Sequence, residues 1–283
     1  MGDRLIRGIA GDYRIAVAIT TDTVAEAVRR HQPTAIGATA LARGMTSLAL
    51  AAVTDKEWRR WSAQWMGRGP LGTVHADLRR PGDLRAYLTG DGVAEGVPAG
   101  FGRGGLLSVI RQQANDAFVQ GQVALAARTI DGDLEGYLKH SEQIPSVLRV
   151  LVDLDDGAPT AVAGVLLQTL PGGSRAGINA LTSRALRERT LAADLAIDEL
   201  IAQGVPGLAD VDWMLEVPLR WQCGCSRERV ERGVKMLGFA ELAEMVTKGE
   251  GTEARCDFCA TVYEVTPEDI ARLLGELAEA PPS

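Results

Sequence analysis

The sequence predicts an α+β protein in three parts: an N-terminal domain of mostly antiparallel sheet with helices (residues 1–177), an amphipathic helical linker (178–221) and a small four-cysteine C-terminal domain (222–283). Strand-like runs cluster in the first 175 or so residues instead of alternating regularly with helices, as antiparallel α+β domains do. A helical apolar periodicity rich in Arg and Glu follows. All four cysteines then fall within the last 61 residues. At 283 residues the chain is at the size where a single core stops growing, so division is expected.

Each element has its own signal. YRIAVAIT (Tyr13 to Thr20) alternates as a half-buried strand, and TVAEAVRRH starts a helix at a capping box of Thr23 and Glu26 that ends before Pro33. The Ala-rich run Ala35 to Val53, broken by Gly37, Arg43 and Gly44, reads as a buried helix and not a membrane span. EWRRWSAQWMGRGPLG leads into strands GTVHADL and LRAYLTG; Trp58, Trp61 and Trp65 are spaced three and four apart, as for packing on one helix face. GLLSVI and FVQGQVALA form a hairpin around RQQANDA. The helix DLEGYLKHSEQ stops before Pro145, and strands VLRVLVDL and TAVAGVLLQTL precede the turn PGGSRAG. From Ile178 to Gln203, apolar residues such as Leu181, Ala185, Leu195 and Ile201 recur at helical spacing until Gly204 and Pro206. In the last part, SRERVERGVKML is a helix capped by Ser226 and FAELAEMVTKG one closed by Gly249. CDFC sits at a hairpin tip, and TPEDIARLLGELAEA is a helix with Thr266 as N-cap and Pro267 at its first position.

Composition narrows the function classes. Hydrophobic residues at 46% and charged ones at 24% fit a soluble globular protein, and the N-terminus lacks the apolar core of a secretory signal. The expected location is the cytoplasm, with no membrane partner. A net charge of −7 repels phosphate backbones. The cysteine domain is itself acidic, so nucleic acid is not an expected partner.

The cysteines carry the chemistry. One residue separates Cys223 from Cys225, thirty separate Cys225 from Cys256, and two separate Cys256 from Cys259. In a reducing cytoplasm such clusters are metal ligands or redox groups more often than permanent disulfides. Four soft sulfurs suit one tetrahedral Zn²⁺, and a domain of about sixty residues would draw folding energy from it. A permanently closed structural site is the simplest reading. The unusual CxC pair leaves a second one open, because its sulfurs are near enough to join once the metal leaves, as are Cys256 and Cys259. A thiol-disulfide exchange motif at CDFC is a third, although strand-like residues follow it where a helix would be needed to lower the thiol pKa. His31, His75 and His140 are distant in sequence and read as ordinary core or surface residues. GFGRGG (Gly100 to Gly105) matches GxGxxG but lacks the flanking strand and helix, and reads as a turn. No P-loop, HExxH or GxSxG occurs, and no acid/base pair is identified, so an enzyme is not expected.

CGCSRERV followed by CDFCATVYEV, together with YLKHSEQIPS (Tyr137 to Ser146), AGVLLQTLPGG (Ala163 to Gly173) and GRGPLG (Gly67 to Gly72), resembles the redox-regulated heat shock protein 33 family, the 33 kDa chaperonins. The resemblance spans nearly the whole chain. It implies that Cys223, Cys225, Cys256 and Cys259 bind zinc as thiolates in a reduced, inactive protein. Oxidants would then release the ion and form the disulfides Cys223–Cys225 and Cys256–Cys259. The zinc domain and linker would lose structure, and the exposed surface would hold unfolding client proteins without ATP. The resemblance also implies a homodimer. The sequence departs from the family pattern at Trp58, Trp61 and Trp65 and at Arg68, where the family often has an acidic residue; none is a metal ligand.

Overall fold

A computed structural model describes residues 2–53, 58–90, 100–102, 104–127, 129–175 and 211–279. The chain divides into two compact units, Met1–Gln222 and Cys223–Ser283.

The first unit holds β1 (Arg4–Ala10), β2 (Tyr13–Ile19), α1 (Thr21–His31), α2 (Ala35–Ala52), β3 (Trp58–Met66), β4 (Thr73–Arg79), β5 (Asp83–Leu88), β6 (Leu106–Gln113), β7 (Phe118–Ala124), α3 (Ile130–His140), β8 (Ser146–Asp155), β9 (Ala158–Thr169), β10 (Asp212–Pro218) and β11 (Arg220–Trp221). A five-stranded sheet in the order β10-β1-β2-β9-β8 is antiparallel throughout. A six-stranded sheet in the order β11-β5-β4-β3-β6-β7 is antiparallel except where β11 runs parallel to β5. The expected mostly antiparallel α+β class is what the unit adopts.

Helix α2 explains the core. It packs on β3, β4 and β5 of one sheet and on β2, β8 and β9 of the other, so it is apolar on every side. By length and composition it could cross a membrane, yet 78% of that window is buried inside the fold. Leu41, Met45 and Leu48 join Trp61, Trp65, Leu78 and Leu166 in one cluster. Thr34 caps the helix by accepting from the Gly37 N–H at 3.3 Å.

Three local expectations are corrected. The capping box at Thr23 and Glu26 does not form: α1 begins three residues earlier, with Thr20 at the N-cap, and the Asp22 and Thr23 N–H groups donate to the Asp3 carboxylate at 3.2 and 2.5 Å. Glu26 pairs instead with Arg29 and Arg30. The tryptophans lie on strand β3, not on a helix face. Alternation buries Trp61 and Trp65 together, and a bulge between Trp58 and Arg60 turns Trp58 onto the same core. Lastly, residues 178–210 of the expected helical linker lie outside the described residues, while its end is not helical. Asp212–Pro218 adds to the sheet edge along β1, from Arg4 opposite Pro218 to Ile9 opposite Asp212, and Arg220–Trp221 lies beside β5. The free backbone groups of the β1 edge override any local helical tendency by pairing with β10.

GFGRGG serves backbone packing. The Arg68 and Gly69 N–H groups donate to the Phe101 carbonyl at 3.0 Å, and Leu71 N–H donates to the Gly100 carbonyl at 2.8 Å. The chain comes so close here that a Cβ on Gly90 would lie 1.8 Å from the Pro70 oxygen.

The second unit holds α4 (Arg227–Lys235), α5 (Phe239–Lys248), β12 (Thr252–Arg255), β13 (Val262–Val265) and α6 (Pro267–Glu279). The caps read from the sequence form. Ser226 accepts from the Arg229 N–H, Gly249 takes the left-handed conformation, and Thr266 accepts from the Asp269 N–H at 3.3 Å while Asp269 accepts from the Thr266 N–H at 3.1 Å. The core is small: Val234, Leu242, Val265, Ile270 and Leu273 are its buried members.

Candidate metal centre

The local chain path brings the four cysteines together. Cys223 and Cys225 lie just ahead of α4, whose Ser226 cap fixes the entry angle, and the Arg229 guanidinium donates to the Gly224 carbonyl between them at 2.8 Å. The other pair sits at the tip of the β12–β13 hairpin. Cys256 N–H donates to the Thr261 carbonyl at 2.9 Å and Ala260 N–H to the Cys256 carbonyl at 2.8 Å, closing a turn with Ala260 at φ +57°. Arg227 clamps the two segments: it donates to the Glu264 carbonyl at 3.0 Å and pairs with Glu231 and Asp269.

The four Sγ atoms all lie within 4.8 Å of one another. Cys223 and Cys256 are 3.7 Å apart and Cys225 and Cys259 3.3 Å, far beyond a disulfide bond. A tetrahedron of sulfurs about 2.3 Å from a zinc ion has edges of about 3.8 Å. The cluster therefore matches a four-thiolate site in ligand type and spacing. No histidine joins it among the described residues: His75 is buried against Ser62 and Gln64, and His140 contacts the Gly136 carbonyl.

The thiols differ in electrostatics. Burial pushes Cys256 up to about 12 and also raises Cys225. Burial acts upward on Cys259 too, but the Thr261 hydroxyl and backbone N–H outweigh it and bring that thiol down to about 7. The Tyr263 hydroxyl donates to Cys225 Sγ at 3.1 Å, and that bond raises the phenol to about 12. A divalent cation reverses the penalty at the raised thiols, because its charge favours every sulfur as thiolate.

Sequence reasoning singled out the four cysteines that the fold brings together and missed Thr261 and Tyr263. Their signal was present: they stand two and four residues beyond Cys259, the spacing that returns side chains to one face of an extended arm. It also missed the buried Ser62–His75 contact of 2.7 Å, a diagonal pair across β3 and β4, where His75 stands opposite Gln64 and Ser62 opposite Asp77. The other imidazole nitrogen of His75 faces the Gln64 amide at 3.3 Å.

A family model described as Hsp33 protein matches residues 3–266. The chain is 31% identical to a 33 kDa chaperonin of Listeria monocytogenes serotype 4a, covering 98% of this chain and 99% of the relative. It is 34% identical to a 33 kDa chaperonin of Nostoc punctiforme, covering 98% and 97%. A crystal structure of the 33 kDa chaperonin of Thermotoga maritima shares the fold with a TM-score of 0.82 at 22% identity, covering 99% of this chain and all of that one.

Proposed function

Since this chain belongs to the Hsp33 family, we propose that it is a chaperone of unfolding proteins, held inactive by one zinc ion and switched on by oxidation. It acts as an ATP-independent holdase in the cytoplasm, with a role in the stress response, and not as an enzyme. The observation that carries the reading is the four-sulfur cluster itself, built from two segments thirty residues apart within a unit whose own core is small.

The bound ion would supply a fourfold crosslink between the CxC segment and the hairpin tip through Cys223, Cys225, Cys256 and Cys259. Oxidation removes the ligands. Two thiolates lose one electron each to a peroxide, forming one S–S bond while the O–O bond breaks and two hydroxide ions leave, so both sulfurs cease to be anionic donors. Within the intact cluster all Sγ atoms lie within 4.8 Å of one another, and contacts of 3.7 and 3.3 Å run between the two segments. Once the segments part, only local partners remain, which favours Cys223–Cys225 and Cys256–Cys259. The unit then loses its clip, and apolar surface becomes available to clients. Part of that surface is already in place: within the expected linker, Trp213, Met214 and Leu215 of β10 are 37%, 58% and 37% exposed.

An oxidoreductase reading gains little from CDFC, which occupies a hairpin tip and not a helix N-terminus. The deciding experiment treats the reduced, zinc-loaded protein with peroxide at mildly raised temperature. Zinc release, the two local disulfides by peptide mapping, and suppression of aggregation of a thermally unfolding client should appear together. Retained zinc with no gain in suppression would overturn the proposal in favour of a closed structural site. Catalytic turnover of small disulfides would favour the oxidoreductase. Sedimentation of the oxidised protein tests the dimer.

A further inference from the structure

Two side-chain hydroxyls reach into the sulfur cluster, and neither belongs to a ligand. The Tyr263 hydroxyl donates to Cys225 Sγ at 3.1 Å, and the Thr261 hydroxyl stands 3.2 Å from Cys259 Sγ. The two halves of the centre are screened by different means. On the hairpin side the donors are largely backbone: Cys256 accepts from the N–H groups of Phe258 and Cys259, and Cys259 from that of Thr261. Those bonds follow from the closed turn and persist whatever the side chains are. At Cys225 the donor is the phenol of a half-buried tyrosine, held in register opposite Ala254 across the hairpin.

A hydrogen bond to a thiolate stabilises its negative charge and makes its lone pairs less available to an electrophile. We propose that Tyr263 is a positioning residue that sets the oxidation threshold of the switch, by holding the Cys225 thiolate in its less nucleophilic, hydrogen-bonded form. The idea rests on the redox-switch reading above and extends it to a residue outside the ligand set. In the step it governs, Cys225 sulfur attacks one oxygen of a peroxide; the O–O bond breaks, a sulfenic acid forms at Cys225 and hydroxide leaves. Cys223 thiolate then displaces the second hydroxide to close the S–S bond. The phenol keeps its proton throughout and must only release its bond to sulfur.

Tyr263→Phe removes the hydroxyl and keeps the ring that packs on the hairpin. In the zinc-loaded variant, peroxide-driven ion release should run about three- to tenfold faster than in the parent, the effect of losing one charge-assisted hydrogen bond that weakens on attack. Alkylation of Cys225 by iodoacetamide should accelerate by a similar factor. In the cobalt(II)-substituted protein the sulfur-to-metal charge-transfer band should move to longer wavelength, because a sulfur without its donor gives up an electron more easily. A fluorinated tyrosine at 263, the same shape with a stronger donor, should shift all three readouts the opposite way, so the test survives if the phenylalanine variant folds poorly. Thr261→Val should do less, since the backbone N–H at Cys259 remains. A residue that merely supports the fold would lower the melting temperature and leave the cobalt band in place. An unmoved band with unchanged alkylation in a folded variant overturns the proposal. If the parent protein holds its zinc against peroxide, the switch reading falls, while alkylation and the cobalt band still decide the role of Tyr263.

Discussion

Removing the metal from the reduced protein should unfold Cys223–Ser283 and leave Met1–Gln222 folded. The buried apolar core of the second unit consists of Val234, Leu242, Val265, Ile270 and Leu273. At about 1.5 to 3 kcal/mol for each buried side chain, these supply roughly 8 to 15 kcal/mol before any ordering cost. After that cost, a core in a unit of this size rarely supplies more than about 3 to 5 kcal/mol. A four-thiolate zinc site contributes about 10 to 16 kcal/mol at neutral pH. The ion would therefore supply the larger share of the unit's stability, and the core alone would leave it marginal once ordering is counted. The assay is hydrogen exchange read by mass spectrometry, before and after treatment with a strong chelator and a thiol reductant, with zinc stoichiometry measured in parallel. Peptides spanning α4, α5, the β12–β13 hairpin and α6 should fall to the protection of an unstructured chain. Peptides of α2, β3 and β4, which lie in the separate large core, should keep theirs. Persistent protection around Leu242 and Ile270 after complete metal loss would refute the reasoning, because it would mean the apolar cluster suffices alone.

Three substitutions in the first unit test its physics. Asp133 is buried and accepts from the Ala126 and Ala127 N–H groups at 2.9 and 2.8 Å, and burial raises its pKa to about 6. The folded state therefore holds a proton that the unfolded chain releases from about pH 4 upward. Its contribution to stability declines as pH climbs from about 4 to 6, and the cost is complete above that. Asp133→Asn keeps an acceptor oxygen and should raise the melting temperature by about 2–6 °C at pH 8, with a smaller gain at pH 5, measured by calorimetry. Asp3→Ala strips the acceptor from the first turn of α1 and should cost about 1–2 kcal/mol in a urea titration. Gly90→Ala places a Cβ 1.8 Å from the Pro70 oxygen, so the protein should lose several kcal/mol or fail to accumulate folded, as circular dichroism will report.

Most of the fold could be read from the sequence wherever an element carries its own periodicity. The hairpin β6–β7, the strands β8 and β9, and the helices of the second unit follow from patterns within a dozen residues, and their caps from single side chains. What escaped was non-local. Asp3 caps a helix nineteen positions on, which no window around Thr23 contains. Strand β10 exists because β1 offers it an edge, and DWMLEVP alone does not state its partner. Trp58, Trp61 and Trp65 fit a helix face as well as a bulged strand, since a bulge adds one residue to a period of two. At the candidate metal centre the four-cysteine cluster was legible because close cysteine pairs at short spacing have few other uses. Tyr263 was not, because a tyrosine on a strand has an ordinary use in packing.

The charged side chains of the second unit bear on why a bound metal would be an effective lever. Arg227, Glu231, Asp269, Arg272, Glu276 and Lys235 form a continuous network across α4 and α6. Most of these groups are partly or largely in solvent, where an ion pair is worth about 0 to 1 kcal/mol and weakens with salt. Such a network orients the helices but cannot replace a lost crosslink. A larger apolar core would hold the unit together after oxidation and silence the switch; a smaller one would leave it open even when reduced. On the proposed reading the five buried residues sit between those limits, so that the state of four sulfur atoms would decide whether the unit is folded. The Tyr263 hydroxyl beside them would then adjust how readily that state changes.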